Sequence, residues 1–192
     1  MNAPLLLLAL ALGADPSGPV CEPPAANAAA QPATAREAAL NEMLVSLFGI
    51  IDGPVTPAMW RSLPPEALPL LERIAAGQGR SMYRARALEG AAALGSDGAL
   101  HRRLAGDAAT PFPVRAAAIR GLGQLLPGSR LEVELAPLLE RDADLRIRAA
   151  AADVLARGAP ARGCAAIRRQ AHGERANEQP AFQRALATCG VR

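Results

Sequence analysis

Chemistry in this chain would have to come from few groups. Its 192 residues include three cysteines (Cys21, Cys164 and Cys189), two histidines (His101 and His172) and 18 carboxylates. No two cysteines form a CxxC, and the spacing of Cys and His assembles no zinc-type ligand set. His101 stands beside Arg102 and Arg103 and reads as a solvated side chain on a helix surface. His172 falls at the end of a helical stretch, where a cation is favourable. Asp142 and Asp144 are two apart in a turn. They would act as acid and base only inside a pocket, and turn and capping roles account for them without catalysis. Cys21 lies in a Pro-rich stretch with no histidine near it in sequence, a poor setting for a nucleophile. No GxGxxG, P-loop, HExxH or GxSxG pattern is present. The expectation is a chain without catalytic residues, metal or cofactor.

Two of the cysteines have a structural reading. Residues 161–172 form one helix, residues 180–189 another, and residues 173–179 the turn between them. In an antiparallel pair the start of the first helix lies beside the end of the second. Cys164 and Cys189 occupy those two places, which predicts a disulfide that closes the end of the domain. Such a bond needs an oxidising compartment.

The elements that would position these groups are built from small residues. Hydrophobic residues make up 51% of the chain and aromatics only 3%, while 45 residues are Ala. Lysine is absent, so all 21 basic residues are Arg. The net charge of +3 hides an asymmetry: residues 15–56 carry −4 and residues 57–192 carry +7. The basic part could attract acidic partners, nucleic acid or anionic lipid. Its arginines are mixed with acids and lack the interleaved aromatics of a single-strand nucleic-acid binder, so most are expected to solvate helix faces.

The N-terminus has the pattern of an export signal. Residues 5–12 are an apolar run, and Gly13-Ala14 supply small residues for cleavage after Ala14. The run is too short to span a bilayer, so no transmembrane helix is expected in the mature protein. No Lys or Arg precedes it. Gly18-Pro19-Val20 before Cys21 do not make a lipobox, which argues against lipid anchoring there. Residues 15–33 hold five prolines amid alanines and read as an extended tether. The domain division expected is therefore a signal peptide at 1–14, a disordered tether at 15–33 and a folded domain at 34–192. The exported protein would be periplasmic or secreted.

From about residue 57 the chain repeats. Tyr83-Arg84-Ala85-Arg86-Ala87-Leu88-Glu89-Gly90-Ala91 returns 31 residues later as Val114-Arg115-Ala116-Ala117-Ala118-Ile119-Arg120-Gly121-Leu122. It returns again after a further 33 as Ile147-Arg148-Ala149-Ala150-Ala151-Ala152-Asp153-Val154-Leu155. Each segment follows another apolar helix, around residues 68–74, 100–104 and 131–139, with turn signals between. Thr110 and Asp144 read as N-caps, and Thr34 with Glu37 as a capping box opening a helix over 34–48. Leu40, Met43, Leu44, Leu47 and Phe48 form the apolar side of that helix, and Trp60 is expected to bury in the first repeat.

Leu135-Ala136-Pro137-Leu138-Leu139-Glu140-Arg141-Asp142, followed by Ile147-Arg148 and an Ala-rich helix, resembles the HEAT repeat family. Asp107 with Val114-Arg115 is a second good match; the first repeat lacks the Asp and has Tyr83 in place of the aliphatic residue. The resemblance implies an all-α fold: an α-solenoid of stacked antiparallel helix pairs, about four repeats, capped by an N-terminal helix. It also implies a ladder in which Arg115 and Arg148 bond to Asp107 and Asp142, within or between repeats. A short solenoid of this kind presents a face lined by its second helices. Arg86, Glu89, Arg120, Gln124, Asp153 and Arg157 are the residues on those helices that would meet a partner.

The function expected is a non-catalytic protein-interaction scaffold or adaptor of the cell envelope or exterior. Two alternatives come from the same resemblance. Some HEAT-like proteins are similar to phycobilin lyases, but the scarcity of aromatics argues against a pigment pocket. Some alkylpurine DNA glycosylases are built of HEAT-like repeats, but export and the lack of base-stacking residues argue against nucleic acid as a partner.

Overall fold

The computed structural model of the protein describes residues 35–50, 55–171 and 179–190. The expected signal peptide, tether, Cys21, the Thr34 cap and His172 lie outside the described residues, as does the turn except Gln179. Contacts divide the chain into residues 1–39 and residues 40–192. Of the first unit the structure describes only 35–39, which open the first helix.

Among the described residues the protein is all-α, with ten helices. They are α1 (Ala35–Phe48), α2 (Pro57–Arg61), α3 (Ala67–Ala76), α4 (Ser81–Ala93), α5 (Ala99–Gly106), α6 (Phe112–Leu125), α7 (Gly128–Arg141), α8 (Leu145–Gly158), α9 (Pro160–Ala171) and α10 (Pro180–Thr188). The repeated segments are α4, α6 and α8. Each packs on the helix before it, α3, α5 and α7 respectively, and α4 packs on α6, α6 on α8 and α8 on α10.

Leucine and isoleucine at helical spacing supply the core. Leu71, Leu88, Ile119, Leu122, Leu131, Leu135, Leu139, Ile147 and Leu155 are fully buried. Buried alanines lie between them, at 116–118 and at 149, 151 and 152, and their small side chains let neighbouring helices approach closely. Pro137 lies inside α7, where its missing N–H removes one hydrogen bond, and Pro69 lies in the first turn of α3, where that loss is harmless.

The N-terminal end of the second unit is organised around Trp60. A short helix that the periodicity did not indicate, α2, carries it; Thr56 caps α2 by accepting from the amide of Met59, and Pro57 follows the cap. Trp60 is buried against the backbone of Gly90, where a Cβ would come within 2.8 Å of the indole ring. Phe48 lies 6.1 Å from the Trp60 ring centre and stacks on Tyr83 at 5.6 Å. Leu40, Leu44 and Phe48 form the buried side of α1, whereas Met43 is exposed.

Capping differs at one of the two expected N-caps. Asp144 caps α8, accepting from the amide of Arg146. At α6 the N-cap is Pro111. Thr110 donates its hydroxyl to Asp107 instead, and Asp107 also accepts from the amide of Ala109, so the pair closes the α5–α6 turn. These bonds, that from the Ala109 amide foremost, hold the Asp107 carboxyl below its ordinary pKa.

Candidate functional site

The repeated arginines are structural, and each makes the same bond. Arg84, Arg115 and Arg148 are buried and donate Nε to a carbonyl near the end of the preceding helix: Ala75 O, Ala105 O and Leu139 O, each at 3.0 Å. The four last carbonyls of a helix have no partner within it, so one arginine in each repeat closes the helix before it. The other end of the guanidinium reaches onward. Arg115 places both terminal nitrogens on the two carboxylate oxygens of Asp142, at the end of α7. Arg148 donates to Gln170 Oε1 in α9 at 3.0 Å. The ladder residues are therefore joined across repeats. Asp142 lies with Arg115, and Asp107 takes local turn bonds.

His101 is fully buried between α4 and α6. Its Nε2 donates to Leu88 O at 3.0 Å, which leaves Nδ1 to accept from the Ser96 hydroxyl at 3.4 Å. A carbonyl can only accept, so this pairing fixes the neutral tautomer. Burial pushes the imidazole pKa down, in keeping with that assignment. The solvated histidine expected from its arginine neighbours is thus a core residue. Arg102 and Arg103 point away while His101 shares the inward side with Leu104 and Ala105. Gly121 makes room for the ring, since a Cβ there would stand 2.3 Å from His101 Cδ2.

The open face of α4, α6 and α8 carries the other polar residues. Arg120 pairs with Glu89 at 2.7 Å, tying α6 to α4. Arg157 pairs with Asp153 at 2.7 Å one turn apart on α8, and Arg184 of α10 approaches the same carboxylate at 3.7 Å. Gln124 is exposed and lines a hollow of about 330 Å³ with Arg120 and Arg157. Arg86 differs from these. It donates to the carbonyls of Leu47 (3.0 Å), Phe48 (2.8 Å) and Ile50 (2.5 Å), so it secures the end of α1.

Two further clefts run across these helices. One, of about 430 Å³, lies over Ala85 and Ala116 between α4 and α6. The other, of about 330 Å³, lies over Ala116, Ala149 and Ala150 and reaches α10. They share Phe112, Ala116 and Arg120 and so adjoin. Phe112, Arg146 and Arg184 belong to this face but were not among the residues singled out from the sequence. Arg146 stacks its guanidinium 4.3 Å from the Phe112 ring centre and bonds to Asp144, and Arg184 comes from α10. Their signal was faint: Phe112 and Arg146 occupy helix N-termini outside the repeated segments. The Arg146–Asp144 bonds raise the guanidinium pKa and lower that of the carboxyl.

At the far end, Cys164 of α9 and Cys189 after α10 form a disulfide, with Cα atoms 5.4 Å apart. Arg168 donates to Cys189 O at 2.7 Å beside it. Among the described residues no group of three Cys, His, Asp or Glu side chains could hold a metal ion. No described helix is long and apolar enough to cross a membrane. Compared with known proteins, the chain matches no family model, no curated protein and no solved structure.

Proposed function

We propose that the protein is a short HEAT-like α-solenoid acting as a non-catalytic interaction scaffold of the cell envelope or exterior. The observation that carries this reading is the row of corresponding residues on α4, α6 and α8. Ala85, Ala116 and Ala149 stand at one repeat position and Glu89, Arg120 and Asp153 four residues further on, and together they line adjoining clefts. A surface repeated from unit to unit suits an extended partner better than a small substrate. The Cys164–Cys189 bond fits an oxidising compartment, in keeping with the export pattern at residues 1–14.

The test has two parts. Intact mass of protein from separated fractions of the native cell should begin at Asp15, with Cys164 and Cys189 resistant to alkylation, outside the cytoplasm. A photo-crosslinking residue replacing Gln124 should then capture one defined envelope partner, while the same residue at Val133 on α7 captures none. A full-length, reduced, cytoplasmic protein, or equal labelling from both positions, overturns the reading.

A further inference from the structure

The interaction face has a charge pattern that selects its partner. The cleft over α6, α8 and α10 has an alanine floor and is bordered by three guanidiniums, those of Arg120, Arg146 and Arg184. Among the described residues, Asp153 is the one carboxylate lining it. The Asp153 side chain is only 12% exposed and is shared between Arg157 and Arg184, whose own side chains are 55% and 61% exposed. One sunken carboxylate facing two exposed arginines leaves positive charge at the surface. Arg146 also lines the cleft and is 56% exposed; its charge is balanced by Asp144 at 2.7 Å, and Phe112 and Asp144 hold the guanidinium in place. Asp144 takes Nε and one N–H of Nη2, and the Nη1–Nη2 edge of the guanidinium so fixed can bind a second carboxylate at two points with little entropy left to lose.

From this we infer that the cleft receives an acidic segment of a partner polypeptide. Its carboxylates meet Arg146 and Arg184, and an apolar side chain between them rests on the half-buried Ala150 and Ala181. The inference builds on the proposal that this face is an interaction surface. A volume of about 330 Å³ accommodates side chains of that size. Nucleic acid suits the cleft less well. One face of the Phe112 ring is covered by Arg146, and Asp153 and Glu89 interrupt the positive charge that a continuous phosphate chain would follow.

The full chain would be titrated into fluorescein-labelled dodecapeptides and followed by anisotropy at physiological salt. One peptide alternates glutamate with leucine and alanine, a second alternates glutamate with serine, and a third places lysine where the first has glutamate. A twelve-nucleotide oligothymidylate is the fourth probe. The first peptide should bind at least tenfold more tightly than the others. Arg146→Glu with Arg184→Glu should weaken it at least tenfold while leaving the melting temperature within a few degrees of wild type. Arg162→Glu, on the exposed side of α9, should leave binding unchanged. Failure of the first peptide to bind, equal binding of the glutamate–serine peptide, indifference to the double variant, or tighter binding of the oligonucleotide each overturns the inference. Crosslinking from the Gln124 position separates it from the broader reading. A defined partner captured there, with no affinity for the acidic peptide, removes the acidic segment and leaves the scaffold.

Discussion

Arg115 of α6 and Asp142 at the end of α7 form a two-point ion pair with both side chains almost entirely buried. Arg115 also closes α5 through Ala105 O, so one side chain links three helices. Removing one partner leaves the other charge buried and uncompensated, which costs about 3–5 kcal/mol. Asp142→Ala should therefore destabilise the protein by roughly that amount, read by urea denaturation. A double-mutant cycle on Arg115 and Asp142 should give strong coupling, and a cycle on Arg148 and Asp142 a much smaller one. The reverse order would place the ladder within a repeat instead of between repeats.

Arg86 is a second arginine whose work is done at long range. Its three bonds, two to the last carbonyls of α1 and one to that of Ile50 just beyond it, are charge-assisted, and such bonds contribute about 1.5–3 kcal/mol each at most, with shared donors giving less. Arg86→Ala should fray the end of α1 and loosen Phe48 from Trp60. Trp60 is the only tryptophan, so its emission reports this directly. A red shift with a stability loss of about 2 kcal/mol is expected. An unchanged spectrum would mean that α1 is held by Leu40, Leu44 and Phe48 alone.

Much of the helical order was legible because it repeats. The segments opening on Arg84-Ala85, Arg115-Ala116 and Arg148-Ala149, at intervals of 31 and 33 residues, mark α4, α6 and α8, and the apolar spacing before each marks its partner. The disulfide was legible from the ends of two helices. What a local pattern could not carry was the identity of distant partners. The carboxylate facing Arg115 comes from 27 positions away, and Arg86 reaches back 36–39 positions to carbonyls, which any residue supplies. His101 was misread because its neighbours in sequence are arginines directed away from the core, while the space that seats it is made by Gly121 on another helix. Of the proposed interaction face, the repeated positions Glu89, Arg120 and Asp153 were visible, and the contributors from helix starts and from α10 were not.

His101 makes stability depend on pH with a definite sign. Burial holds its folded-state pKa below the ordinary 6.5, so the unfolded chain takes up the proton first as pH falls. Stability is full above about 6.5 and declines below it until the folded-state value is passed. Asp107 and Asp144, also lowered in the fold, act in a more acidic window, below the ordinary 3.8. The melting temperature should thus fall from pH 7 to 5 in wild type and fall less in His101→Gln. Equal slopes would show that the imidazole does not govern this range. Gly121→Ala, which drives a methyl into the ring, should cost about 1–3 kcal/mol, whereas Gly106→Ala, with nothing within 4 Å, should cost almost nothing.

The Cys164–Cys189 bond closes a loop with a sequence separation of 25 residues. Restricting the unfolded chain over a loop of that length is worth about 3–3.5 kcal/mol. The bond acts locally, since α10 packs on α8 and α9 and it ties α9 to the residue that follows α10. Phe182 and Ala185 still bury, so α10 should remain docked but unfold more readily when the bond is absent. Cys164→Ser with Cys189→Ser, compared with oxidised wild type, should lower the melting temperature by about 10 °C. Hydrogen exchange should locate the loss in α9 and α10 and leave α4 and α6 protected. A reductant should reproduce the shift in wild type and leave the double variant unmoved. Identical melting of the oxidised and variant proteins would mean that packing of α10 on α8 already holds the last pair, and that the bond adds nothing to it.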